Sequence, residues 1–240
     1  MKYITLFEQQ TAFDNAKSTL DKPNMSLVTE TGNVYSLSVG GGVTYEYVDL
    51  GLPSGLKWAK CNVGAEKETD AGLYFAWGET TGYTASQVET DKHFSESDYK
   101  YGNSSSNLTK YNQSDGKTVL ESADDAATQI MGGDWRMPTE TEFQELLDNT
   151  DKLWTTINGV NGYKFTSKKE GYQNNSIFIP AAGYCSEGSV YNVGDYGDVW
   201  SSSLNASSPY GAWYLRFNSG YCRMYSYYRC YGQSVRGVRK

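Results

Sequence analysis

The longest alternation of apolar and polar positions lies near the C-terminus. In AWYLRFNSGYCRMYSYYRCYGQSVRGV, Trp213, Leu215 and Phe217 fall on one face of an extended segment, and Tyr214 and Arg216 on the other. Asn218-Ser219-Gly220 supplies a turn, and the chain returns from Tyr221. The pattern predicts a meander whose outer face carries Tyr214, Arg216, Tyr221, Arg223, Tyr225 and Tyr227. A last strand, SVRGV, follows a turn at Tyr231-Gly232. Two shorter apolar runs, GLKWAKCNVGA and GLYFAWGET, also read as strands that end in glycine turns.

Helical spacing recurs in three places. Phe13, Ala16 and Leu20 form a stripe with Thr11 as N-cap, and Pro23 stops it. In SADDAATQIMGG, Ser122 pairs as a cap with Asp125 three residues on; Ala126, Ala127, Ile130 and Met131 make the stripe, and Gly132 ends it. In MPTETEFQELLDN, Pro138 and Thr139 open a helix, Glu142 answers the cap, and Phe143, Leu146 and Leu147 face the core. MSLVTETGNVYSLSV reads as two short strands around Thr31-Gly32-Asn33, followed by a joint at Gly40, Gly41 and Gly42. The chain therefore divides into an N-terminal helix plus β-hairpin at 1–44 and a main domain at 45–240. Between Thr80 and Thr118 a polar stretch including YGNSSSNLTKYNQSDGK predicts an extended, solvated insertion.

Composition sharpens this picture. Of 240 residues 15% are aromatic, with 21 Tyr against 8 Phe and 25 Gly, which suggests a loop-rich fold of short strands. Tyrosine favours surfaces and interfaces, because the ring gains from burial and the hydroxyl needs a partner. A net charge of −7 argues against nucleic acid, whose phosphates need clustered Lys and Arg. No apolar run is long enough to cross a bilayer, and MKYITLFEQQ lacks the apolar core of a cleaved export signal.

Cys61, Cys185, Cys222 and Cys230 show no CxxC spacing, and His93 is the single histidine, so no zinc site is expected. On one strand Cys222 and Cys230 would share a face roughly 26 Å apart at about 3.3 Å per residue, beyond disulfide reach. The acidic residues of the insertion lack the spacing of a regular calcium loop, so no cofactor is expected; a structural calcium is the alternative.

Several motifs, taken in order, carry a family resemblance. YVDLGLPSGLKWAKCNVGA, YFAWGET, GGDWRMPTETEFQELL, VWSSSL and YGQSVRGVR resemble a Bacteroidales-associated family related to the formylglycine-generating-enzyme type of C-type lectin fold. That resemblance implies an α+β domain with two helices, small twisted antiparallel sheets and much irregular structure. The tyrosine-rich tail resembles the variable region of proteins diversified by retroelements, in which template adenines are miscopied. AAC or AAT codons can become Tyr, Ser, Asn, Asp, Cys, Arg or Gly but never Met, Gln, Lys, Glu or Trp. Between Asn218 and Gly232 every residue except Met224 is reachable in this way. Met224, Trp213, Trp200, Arg229 and the run from Gly232 to Arg239 would then be fixed scaffold. LFEQQTAFDNAKSTL with SLVTETGNVYS resembles virion-attachment segments of phage-encoded members, which implies display on a phage particle; a bacterial cell surface is the alternative.

These expectations define a candidate ligand-binding set within a variable region at about 184–231. It comprises Tyr210, Tyr214, Arg216, Asn218, Tyr221, Arg223, Tyr225, Ser226, Tyr227 and Tyr228. The loop GYCSEGSVYNVGDYGD extends it with Tyr184, Tyr191, Asn192 and Tyr196. Rigid amphipathic rings, adaptable Ser and Asn, and planar guanidinium forks make a surface suited to varied ligands. The expected partner is a protein or glycan on a target cell, with no membrane insertion and oligomerisation left open. Two other readings compete: a lectin-like domain of fixed specificity, and an oxidase of the formylglycine-generating type using Cys222 and Cys230. The tyrosines themselves could also be half-buried cross-strand pairs.

Overall fold

The alternation of the last third becomes three paired strands in the computed structural model, which describes residues 25–28, 34–37, 45–102, 104 and 106–240. The chain divides into two units, Met1–Thr44 and Tyr45–Lys240. In the first, β1 (Met25–Val28) pairs antiparallel with β2 (Val34–Leu37). The helix expected at Thr11–Leu20, the Thr31-Gly32-Asn33 turn and the glycine joint lie outside the described residues.

The second unit is α+β, with two α-helices and several small antiparallel sheets among the described residues. β3 (Tyr47–Asp49) and β4 (Lys57–Asn62) are joined by the last strand, β13 (Arg236–Arg239), in the order β13-β4-β3. α1 (Ala126–Met131) and α2 (Glu140–Asn149) follow, then a sheet of β5 (Thr150–Ile157), β6 (Val160–Ser167) and β7 (Ser176–Pro180). A short hairpin of β8 (Tyr184–Ser186) and β9 (Ser189–Tyr191) leads into β10 (Gly197–Leu204), β11 (Gly211–Asn218) and β12 (Tyr221–Tyr228), which pair in sequence order. No helix among the described residues is long and apolar enough to cross a membrane.

Local chemistry explains both helices. The Thr139 hydroxyl accepts from Glu142 N while the Glu142 carboxylate accepts from Thr139 N, closing the capping box of α2. Arg136 then holds the same carboxylate at 2.6 and 2.7 Å. α1 starts later than its sequence suggests. Ser122–Asp124 forms a 3-10 turn, and Asp125 is the true N-cap, accepting from Thr128 N at 2.8 Å. The Asp125 carboxylate also accepts from Met137 N, which a serine at the cap could not reach as well.

Two expectations fail on tertiary grounds. GLYFAWGET is not a strand, because left-handed Gly72 and Gly78 bound the run. Its backbone pairs piecemeal with Val63, Tyr83, Gln233 and Arg229. The polar insertion is not a solvated loop either: Val88, Phe94, Tyr99, Tyr101 and Tyr111 are buried in a core with Trp77 and Trp200. Buried Asp124 makes this tolerable by accepting from the Tyr101 and Tyr111 hydroxyls and from Lys100 and Lys110. Burial opposes that carboxylate, but these donors outweigh it and hold its pKa well below the usual range.

The β10-β11-β12 sheet lies between two cores. Trp200, Ala212 and Tyr214 belong to the core built with the insertion. Val199, Leu215 and Phe217 belong to a second core with Trp58, Phe143, Leu146 and Phe165, against which Cys222 and Met224 pack. Alternate residues of one sheet thus anchor it on both sides.

A tyrosine and arginine surface on the last sheet

β12 forms one edge of its sheet among the described strands, and its period-2 pattern sets the site. Cys222 and Met224 turn inward, while Arg223, Tyr225 and Tyr227 are exposed. Tyr225 and Tyr227 leave 41% and 44% of their surface open, and Tyr210 and Tyr191 leave 43% and 42%. For Tyr225 and Tyr227 these are large fractions, because their backbone is fixed by a full strand register from Gly211↔Tyr228 to Asn218↔Tyr221.

The rings touch in a continuous series. Tyr191 stacks on Tyr184 with centroids 5.4 Å apart, and Tyr184 stacks on Tyr231 at 5.8 Å. Tyr231 meets Tyr227 edge-on at 5.1 Å and Tyr228 at 5.9 Å, and Tyr228 reaches Tyr210 at 5.5 Å. Tyr231 is therefore the hinge of the series, although the strand alternation did not mark it as a site residue. It sits beyond the turn at Arg229 and Cys230, where strand periodicity no longer tells which way a side chain points. A second group gathers around the guanidiniums. Arg223 lies 4.8 Å from the Tyr221 ring and 4.9 Å from the Tyr225 ring. Among the described residues no carboxylate pairs with it, so its charge faces outward.

Several candidates hold other positions than the alternation suggested. Tyr214 shares the outer face in register but is 1% exposed, because the core built by the insertion covers it; its ring packs edge-on against Trp200. Arg216 is half-buried beneath the surface. It donates to the hydroxyls of Tyr214 and Tyr221 and stacks on Tyr196 at 4.7 Å, so it orients neighbouring rings. Asn218 caps its turn by accepting from Gly220 N and Tyr221 N. Ser226 and Tyr228 alternate with Tyr225 and Tyr227 along the strand and are less exposed, and both line, with Tyr227, a cleft at the end of β12. Asn192 is exposed in a left-handed turn, where its carbonyl accepts from Asp195 N and Tyr196 N.

Asp198 lies opposite Arg216 in the register and is buried. Its Oδ2 is 3.6 Å from Arg216 Nη1, and its Oδ1 has no hydrogen-bond partner. Burial pushes its carboxyl up to about 7, with Arg216 working the other way. A folded chain that holds this proton more tightly than an unfolded one takes up protons between about pH 4 and about pH 7. Stability from this residue is therefore fullest at the acidic end and declines as pH rises through that window. Asp125, also raised by burial, adds to the same slope. Asp198→Asn is expected to flatten the decline by on the order of 2 kcal/mol, read from urea midpoints across the window. Parallel curves for the two proteins would contradict this.

The remaining chemistry is structural. Among the described residues no group of three or more His, Cys, Asp or Glu side chains gathers to hold a metal. Two acids of the insertion are held by protein donors: Asp98 accepts from three backbone amides, and Asp115 from those of Tyr111, Asn112 and Lys117. His93 meets the Glu89 carbonyl. All four cysteines are free thiols. Comparison with family models, curated proteins and solved structures returns no match for this chain.

Proposed function

We propose that the chain is a non-enzymatic binding protein that meets its ligand through the exposed faces of Tyr191, Tyr210, Arg223, Tyr225 and Tyr227. One observation carries this: β12 packs Cys222 and Met224 against a core while turning outward two rings and a guanidinium that, among the described residues, has no carboxylate partner. Large rigid side chains with few rotamers lose little entropy on binding, and desolvated Tyr and Arg dominate interface energetics. The scaffold is of the C-type lectin type found with formylglycine-generating enzymes. Its exposed positions are diversified by a retroelement, and the first unit attaches the chain to a phage particle. The partner is a protein or glycan on the target cell. The outward positions are all of residue types reachable by adenine miscopying, and the one unreachable residue of the strand, Met224, packs inward, although inward Cys222 is reachable as well.

The test begins beside the gene. A near-identical template repeat and a reverse transcriptase gene are the expected neighbours, with copies of the coding sequence differing at adenine-derived codons. A cassette lacking both, with invariant copies, ends the diversification reading and leaves a lectin-like domain of fixed specificity.

An oxidase of the formylglycine-generating type fits poorly. Cys230 lies within the core built with the insertion and Cys222 packs against the second core, which argues against a working pair of thiols. Burial pushes each up to about 12, far from the thiolate a nucleophile requires at neutral pH.

A further inference from the structure

Beside the exposed rings, the loop between β10 and β11 folds over the end of β12 and leaves a cleft of about 390 Å³ lined by Asn205, Ser208, Tyr210, Gly211, Ser226, Tyr227 and Tyr228. We propose that this cleft is a subsite for a single uncharged pyranose ring at the end of a glycan. The inference rests on the reading of the tyrosine face as a binding surface and names the ligand class at one end of it.

Three observations point to a neutral sugar. The lining contains no Asp, Glu, Lys or Arg, so a charged group entering it would lose water and find no counterion. Its walls are aromatic: Tyr210 and Tyr228 tilt at 35° with centroids 5.5 Å apart, and Tyr227 meets Tyr228 edge-on at 4.9 Å. A pyranose offers a flat C–H face to such rings and a rim of hydroxyls to polar groups. Those polar groups are in place, since Asn205 Nδ2 donates to Ser226 Oγ at 2.9 Å. The serine accepts that bond and keeps its own O–H as a donor, and the amide keeps its second N–H. The volume falls within the usual span of small-molecule sites.

The cleft is also built rather than incidental. The loop is closed by Asn205 N to Gly211 O, Ser208 N to Asn205 O and Gly211 N to Ser208 O, at 2.9 to 3.1 Å. From below, the buried Arg229 guanidinium donates to Pro209 O, and Arg229 N donates to Tyr210 O. Gly211 keeps the floor open, because a Cβ there would stand 2.8 Å from Ser226 Oγ. A site held in this way loses little freedom when it is filled.

The experiment is an amide chemical-shift titration of the full ¹⁵N-labelled chain. The methyl glycosides of glucose, mannose and galactose, N-acetylglucosamine and N-acetylneuraminic acid are added separately, with a proline-rich peptide as the competing class. At least one neutral sugar is expected to shift the amides of Asn205, Gly211 and Ser226 saturably, with a Kd on the order of 1 mM. Tyr210→Ala, at an exposed ring, is expected to weaken this by about tenfold or more while amides away from the cleft keep their parent positions. Ser226→Ala should weaken it too, with the ring walls still in place. The proposal is overturned if no neutral sugar shifts these amides, if only the charged sugar or the peptide does, or if Tyr210→Ala binds like the parent. Absent sugar shifts with target-cell binding still dependent on Tyr225 and Tyr227 defeat the subsite alone. Target-cell binding indifferent to those two rings defeats the wider reading.

Discussion

Arg229→Met is expected to lower the melting temperature by about 10 °C and to reduce the yield of folded chain. Arg229 is 1% exposed and pairs with no carboxylate among the described residues. Its guanidinium instead donates to Tyr99 Oη at 3.0 Å and to the carbonyls of Tyr111, Pro209 and Lys110 at 2.8 to 3.0 Å. It also sits over the Trp77 and Tyr99 rings at 5.2 and 5.3 Å. Methionine would fill much of the volume but leave those acceptors bare in a place water does not reach. Removing one side of such a buried network costs about 3–5 kcal/mol, and each kcal/mol is worth about 2–4 °C in a chain of this size. Thermal unfolding by circular dichroism measures it. A drop below about 2 °C would mean that the insertion and the 205–211 loop are held by something else. Arg236, fully buried on Asn62 Oδ1 and three carbonyls, does the same work between β4, β7 and β13.

The double substitution Tyr225→Ser, Tyr227→Ser has the opposite signature. Binding to target cells is expected to weaken by about 100-fold, while the melting temperature stays within about 2 °C of the parent. Both rings are more than two-fifths exposed, and their inward neighbours Met224 and Ser226 are untouched, so the fold loses little. Two central tyrosines at about tenfold each give the loss in affinity. Retention of labelled chain on target cells, set beside thermal melts of the same samples, reads both quantities. Unchanged retention would remove the rings from the binding surface. Lost retention with a large fall in melting temperature would make them structural instead.

What could be read from the chain depended on how local each determinant was. The outward set Arg223, Tyr225 and Tyr227 follows from strand period alone, since the inward positions Cys222 and Met224 are apolar enough to fix the register. The α2 capping box is equally local. Tyr214 is buried despite its outward register, because register tells which face a residue occupies but not what covers that face. Tyr214 belongs to a core that also takes in Tyr99, Tyr101 and Tyr111, far away in sequence and embedded in polar residues. Their hydroxyls converge on one acid, Asp124, or on buried Trp77 O, and no window of sequence displays that convergence. The β5-β6 hairpin carries a local signal: Asn158-Gly159, both left-handed, is the two-residue turn that suits paired strands. Asp198 carries no local sign either, because its importance lies in facing Arg216 across the register.

The claim most in need of a direct test is that the outward surface can change without disturbing the framework beneath. Randomising Tyr191, Tyr210, Arg223, Tyr225 and Tyr227 together, and measuring the melting temperature of a panel of clones, addresses it. Most clones should melt cooperatively within about 5 °C of the parent, as expected for surface substitutions on an anchored sheet. If instead most clones unfold or melt as low as a chain with Met224 or Tyr214 replaced by serine, these rings are part of the fold and not a surface for meeting other molecules.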